Sequence, residues 1–253
     1  PGTFDYTPPL STILDAGSGQ PLDVTFTPND TVNYTAATAR VFINVLKADP
    51  VLSWQNPIDI LFGTALSATQ LNAMHDIPGS FAYTQPAGTV LNAGDNQTLT
   101  AVFTSNDPAN FNGGTVTASI NVGKANVSIA WNTPAPITFG DPLGSSQLNT
   151  TANTPGTFTY SPPAGSVLSA GNAQSLYVSF TPTDSQNYIA ASATVTIDIL
   201  QADSVITWSA PSDIVEGAPL TSAQLNATAN VAGSFVYNPG LGAVLSVGDN
   251  QTL

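Results

Sequence analysis

Pro1-Gly2-Thr3-Phe4-Asp5-Tyr6 returns as Pro78-Gly79-Ser80-Phe81-Ala82-Tyr83 and again as Pro155-Gly156-Thr157-Phe158-Thr159-Tyr160. A fourth, altered copy reads Ala232-Gly233-Ser234-Phe235-Val236-Tyr237, so the step is 77 residues each time. A fixed period this long marks an array of similar folded units rather than one large domain. The Pro-Gly pair is expected to turn the chain. Phe and Tyr, two residues apart, then open a strand with both rings on one face.

Working outward from that stretch, the same period carries a strand pattern. Trp54, Trp131 and Trp208 share one position and are expected to face a core. Strict alternation follows in Leu22, Val24, Phe26, then Leu99, Ala101, Phe103, then Leu176, Val178, Phe180. It returns in Val41, Ile43, Val45, in Ala118, Ile120, Val122 and in Val195, Ile197, Ile199. Leu66-Ser67-Ala68-Thr69-Gln70-Leu71 suggests one short turn of helix, and Gly94 and Gly171 suggest turns. Residues 57–63 and their copies read as short edge strands stopped by glycine. Short strands with turns every eight to twelve residues specify an all-β antiparallel sandwich.

The period divides the chain into residues 1–47, 48–124, 125–201 and 202–253. The middle two are whole repeats; the first is the C-terminal part of one and the last the N-terminal part. Residues 1–22 repeat the positions of 232–253, so the outer pieces are expected to be completed by neighbouring copies or by adjoining repeats of a longer chain. A free half-sandwich with open edges is not expected to hold its order. Val45-Leu46-Lys47-Ala48-Asp49-Pro50 has no glycine and leaves few linking residues, which predicts stiff junctions and an elongated rod.

Sixteen acidic residues face only Arg40, Lys47 and Lys124, a formal charge of −13. Three cations cannot build a phosphate-binding surface, so nucleic acid is excluded as a partner. No apolar run reaches the roughly 20 residues that span a bilayer as a helix, and membrane insertion is not expected. Cysteine is absent, which excludes disulfides and thiolate metal sites. Abundant Thr, Ser and Asn with few cationic cleavage sites suit an extracellular or cell-surface location.

Pro28-Asn29-Asp30-Thr31-Val32-Asn33-Tyr34 recurs at 105–111 and 182–188. Aspartate four residues before tyrosine has the spacing of a tyrosine corner, in which the hydroxyl bonds backbone upstream and the carboxylate caps loop amides. Phe111 lacks the hydroxyl, which favours a structural role for the position. Taken with Trp-x-x-Pro-x-x-Ile, Leu-Asn-Ala-Thr-Ala, Pro-Gly-Thr-Phe-x-Tyr and Phe-Thr-Pro-x-Asp-x-x-Asn-Tyr, the chain resembles the bacterial immunoglobulin-like tandem repeats of large secreted and surface proteins. The resemblance implies a β-sandwich stalk, filament or adhesin module, and it brings no catalytic residues, cofactor or metal.

Other chemistry is weighed against this. Asp49 and Asp203 lie at junctions where calcium-stiffened arrays carry carboxylates, but Asn126 stands in the middle junction, and solvated linkers are the better reading. Lys47 and Lys124 share the position of a candidate isopeptide lysine, but Gln201 breaks the series. His75 is the only histidine, and Ala152 and Ala229 replace it in later copies, which argues against a catalytic or metal role. Asn29, Asn33, Asn96, Asn126, Asn149, Asn226 and Asn250 are N-glycosylation acceptor matches. The expected function is that of a spacer or fibre-forming rod. Its rival is a module binding surface carbohydrate. Variation of the outward residues Asp23, Thr100 and Tyr177 favours the spacer.

Overall fold

The computed structural model describes residues 1–253, which form seventeen strands and no helix. The chain is all-β. It divides into two compact units, residues 1–129 with 152–158 and 179–191, and residues 130–151 with 159–178 and 192–253.

The first unit opens with β1 (Gly2–Thr7), β2 (Gly17–Pro28) and β3 (Ala37–Val45), an antiparallel sheet in that order. Its inter-strand ladder runs unbroken from Gly2↔Pro28 to Thr7↔Asp23. Backbone pairing satisfies the amides along the sheet while its apolar face stays bare, with Phe4 62% and Val41 62% exposed. Across β2 and β3, Arg40 grips Asp23 with two bonds of 2.5 and 2.8 Å.

Next come β4 (Leu52–Ser53), β5 (Ile60–Leu61), β6 (Met74–His75), β7 (Gly79–Tyr83), β8 (Gly94–Ser105) and β9 (Gly114–Gly123). β4 pairs with β6, and a four-stranded sheet runs β5-β9-β8-β7. β7, β8 and β9 are antiparallel, whereas β5 lies parallel to β9, pairing Ile60 with Val122. The core forms where Trp54, from just after β4, and Leu66 meet Leu99, Ala101, Ala118 and Ile120, the inward positions of β8 and β9. Leu99, Ala101 and Phe103 are at most 1% exposed, as period-2 alternation requires.

Short strands β10 (Ile129–Ala130), β11 (Ile137–Thr138) and β12 (Thr151–Ala152) follow, then β13 (Gly156–Ser161), β14 (Gly171–Pro182) and β15 (Ala191–Leu200). β10 pairs with β12, and the sheet order is β11-β15-β14-β13. The second unit has its own core of Leu143, Leu176, Ile197 and Ile199, with Trp131 and Ile137 packed against it. β11 lies parallel to β15, pairing Ile137 with Ile199. Residues 202–253 hold only β16 (Ile206–Thr207) paired with β17 (Thr228–Ala229).

Four local expectations are corrected. The Pro-Gly pair does not turn: Gly79 is the first residue of β7, opposite Ser105, and a Cβ there would run into the Phe103 ring. Gly156 lies against Phe180 in the same way. Glycine is required there so that an aromatic ring can lie over the strand. Gly94 begins β8, and the break after it is a β-bulge between Gly94 and Gln97, with Asn96 left-handed at φ 53°. The bulge amides are met from β9 and its counterparts: Gly19 by Asn44 at 2.7 Å, Asn96 by Asn121 at 2.8 Å, Ala173 by Asp198 at 2.7 Å.

Residues 66–71 make one turn and no helix. Leu71 N–H donates to Ser67 C=O at 2.9 Å, and Gln70 Oε1 accepts from Ser67 N–H at 3.1 Å, the reciprocal bond of a capping box. A single turn gains too few bonds to propagate into a helix. The tyrosine that bonds backbone is also a different one. Tyr83 Oη accepts from Ala73 N–H at 3.1 Å, Tyr160 from Thr150 at 3.2 Å and Tyr237 from Ala227 at 3.0 Å.

Candidate functional site

The loop at 28–34 and its copies, where the sequence suggested a tyrosine corner, contains the most organised polar cluster. Asp107 carboxylate oxygens accept from Asn110 N–H at 3.3 Å and from Asn110 Nδ2 at 2.9 Å. Asp184 does the same for Asn187, and Asp30 for Asn33. Hydrogen bonds to the ionised carboxylate, first among them the Asn side chain, hold Asp30 and Asp107 below the usual carboxylate range. The aspartate thus caps loop amides as expected.

The asparagine then turns its other end outward. Asn110 Oδ1 accepts from Ala16 N–H at 2.7 Å, and Asn187 Oδ1 accepts from Ala93 N–H at 2.7 Å. Asn110 Nδ2 also reaches Asp15 at 3.1 Å, and Asn187 Nδ2 reaches Asn92 at 3.3 Å. The loops at 105–111 and 182–188 are therefore each tied to a segment 94 or 95 positions earlier. The signal for this was present as Asp-x-x-Asn at 30–33, 107–110 and 184–187, but its second partner is not local.

Further bonds gather at the same two places. Ala48 bridges Phe111 in parallel, with Ala48 N–H donating to Asn110 C=O and Asn112 N–H donating to Ala48 C=O, both at 2.9 Å. Ala125 bridges Tyr188 likewise. Lys47 Nζ donates to Pro108 C=O at 2.6 Å, and Lys124 Nζ to Ser185 C=O at 2.7 Å. Both lysines meet backbone carbonyls rather than a side-chain amide, the wrong partner for an isopeptide bond. Tyr188 packs edge-on against Phe62 with ring centroids 5.4 Å apart.

The remaining candidates are scattered. His75 is exposed on β6 and leans on Phe81 and Phe103, at centroid distances of 5.6 and 5.0 Å. Asp49 accepts from Asn112 at 2.7 Å, while Asp203 and Asn126 are exposed. No three His, Asp or Glu side chains come together in a way that could hold a metal ion. Of the acceptor asparagines, Asn29, Asn33, Asn96, Asn126, Asn149, Asn226 and Asn250 are all exposed. Asn33, Asn149 and Asn226 spend their amides on nearby oxygens. No helix is long and apolar enough to cross a membrane.

Trp54 is an anchor of the core. It is 8% exposed, its Nε1–H donates to Gln70 C=O at 3.0 Å, and it meets Tyr83 edge-on at 5.3 Å. Trp131 and Trp208 repeat both contacts, with Gln147 and Tyr160 and with Gln224 and Tyr237. Beside Trp208 the chain leaves an open cavity of about 1130 Å³, lined in part by Ile214, Leu220 and Leu245.

No protein-family model matches the sequence, and no curated protein matches it. Among solved structures, the chain is similar to Drosophila N-cadherin EC1-3 at 14% identity and a TM-score of 0.25, covering 72% of this chain and 77% of that one. It is similar to Drosophila N-cadherin EC1-4 at 13% identity and a TM-score of 0.23, covering 72% of this chain and 58% of that one.

Proposed function

We propose that the chain is the structural repeat region of an extracellular or cell-surface filament, stalk or adhesin. Its units are tandem immunoglobulin-like β-sandwiches over 48–124 and 125–201, with parts of two more at 1–47 and 202–253. The work they do is mechanical: they space or build a fibre, and their partners are copies of the same chain or adjoining repeats.

The observation that carries this reading is the recurring tie. Asn110 to Ala16 and Asn187 to Ala93 are the same bond one period apart, and Lys47 to Pro108 and Lys124 to Ser185 repeat beside them. A junction that spends a lysine, an asparagine and a backbone bridge each time is built to hold one angle. A catalytic or ligand site would instead concentrate unlike groups in one place.

Small-angle scattering of the 253-residue chain tests the reading. The expected curve fits an elongated particle with one repeated angle between units, and Asn187→Ala should loosen it. Freely rotating beads in the parent chain would overturn the spacer, and a glycan array bound by a single repeat would favour the carbohydrate-binding alternative.

A further inference from the structure

Over residues 48–124, the segment by which the chain enters lies along the strand by which it leaves, and the two run in the same direction. At one end, Ala48 N–H donates to Asn110 C=O and Ala48 C=O accepts from Asn112 N–H, just ahead of β9. Next, the Leu52 side chain covers Gly114, where a Cβ would come within 2.7 Å of it. Asn56 Oδ1 accepts from Ser119 N–H at 2.8 Å. The Asp59 carboxylate accepts from Asn121 N–H at 3.3 Å and from Asn121 Nδ2 at 3.2 Å. At the far end Ile60 pairs in parallel with Val122, and Phe62 N–H donates to Gly123 C=O at 2.8 Å. Leu61 covers Gly123 as Leu52 covers Gly114.

The direction of this seam decides how it meets tension. A pull along the chain draws Ala48 backward along the entering segment and Lys124 forward along β9. Because the two run parallel, the pull slides one past the other, and the bonds between them are strained together. An antiparallel pair drawn apart from one end would instead open one bond at a time. The antiparallel pairs β7-β8 and β8-β9 lie between the two ends in sequence and meet the pull only after the seam has parted.

We infer that this parallel seam carries the tension in each repeat, and that its side-chain bonds make 48–124 stronger than 125–201. The later repeat keeps the backbone part: Ile137 pairs in parallel with Ile199, and Phe139 N–H donates to Leu200 C=O at 2.8 Å. It has Thr133 and Pro136 where Asn56 and Asp59 stand. Proline has no carboxylate to offer the facing strand. The strand pairing therefore forms without these two groups. Asn56 and Asp59 are also exposed and fill no core. What they add is three hydrogen bonds across the line of slip.

This inference rests on the mechanical reading proposed above, and it is tested by force instead of shape. The 253-residue chain, pulled by its two ends at constant force, should lengthen in two main steps. Each releases a repeat of 77 residues, on the order of 250 Å when extended. The double variant Asn56→Ala/Asp59→Ala should shorten the lifetime before the later step about tenfold or more and leave the earlier step as it was.

A second measurement keeps the same bonds and turns the pull. The chain has no cysteine, so Thr64→Cys and Lys124→Cys place handles at the same end of β5 and β9. Pulling there peels the seam, and rupture should come at about half the end-to-end force or less. Equal forces in the two directions overturn the inference, as does a double variant that lasts as long as its parent. Loss of the earlier step in that variant would overturn the ranking of the two repeats. Freely rotating beads in scattering would remove the spacer and leave these force measurements to stand or fall by themselves.

Discussion

Asn187 accepts a 2.7 Å hydrogen bond from the amide of Ala93, 94 positions earlier, and is itself only 6% exposed. Its Nδ2 is shared between Asp184 at 2.8 Å and Asn92 at 3.3 Å. Asn187→Ala leaves the partly buried Ala93 N–H without its acceptor, which costs about 1–3 kcal/mol. Asn110→Ala should cost less, since Asn110 is more exposed and water can replace it. Thermal melts of the two variants decide it. Equal losses would mean that burial does not set the worth of this tie.

Gly79 and Gly156 sit beneath Phe103 and Phe180, where a Cβ has no room. Alanine at either position must push a buried ring or bend the strand, at roughly 1–3 kcal/mol. Urea denaturation measures this directly. A neutral Gly79→Ala would show that the ring is free to shift.

Trp54→Ala removes the largest side chain of the first core together with a satisfied indole N–H, and the expected loss is about 3–5 kcal/mol. Trp54→Phe keeps part of the packing but leaves Gln70 C=O without its donor. It should fall between the parent and the alanine variant. A loss below about 1 kcal/mol for Trp54→Ala would place the indole outside the core.

How much of this was legible depends on how far away each residue's partner lies. Leu99, Ala101 and Phe103 announce a buried strand face by their own spacing, because alternation is a property of the strand itself. Gly79 was read as a turn because its reason is the ring of Phe103, which belongs to the next strand. Tyr34 and Tyr83 offer equally plausible upstream backbone; only the folded chain selects Tyr83, by bringing Ala73 to its hydroxyl. Asn110 and Asn187 were visible as loop residues beside an aspartate, but their outward partners lie about a whole repeat away. The cores were thus written locally, and the ties were not.

Acid should act on the loops. Asp30 and Asp107 titrate below their ordinary value of 3.8 because Asn33 and Asn110 donate to the ionised carboxylates. A lowered folded-state value means that the stability these bonds contribute is complete above about 3.8. It is lost as the pH falls further, through the folded-state value. The melting temperature should therefore drop below pH about 4, and Asp107→Asn should flatten part of that drop. Identical acid profiles for the parent and Asp107→Asn would remove the loop carboxylate as the cause.

Ala173 offers a test in the stabilising direction. It occupies the repeat position that Gly19, Asn96 and Asn250 share, and all four are left-handed, with φ between 51° and 63°. Glycine adopts that conformation without cost and asparagine tolerates it, but alanine sets its Cβ against the following carbonyl. No Cβ contact opposes a side chain at the Gly19 copy of the site, so the strain at Ala173 is one of backbone conformation rather than crowding. Ala173→Gly should relieve about 0.5–1 kcal/mol after the added freedom of the unfolded chain is subtracted. The amide keeps its 2.7 Å bond to Asp198 in either case, so the bulge itself need not change. A raised urea midpoint with an unchanged slope is the expected result. A lowered midpoint would mean that the unfolded chain's gain in entropy outweighs the strain.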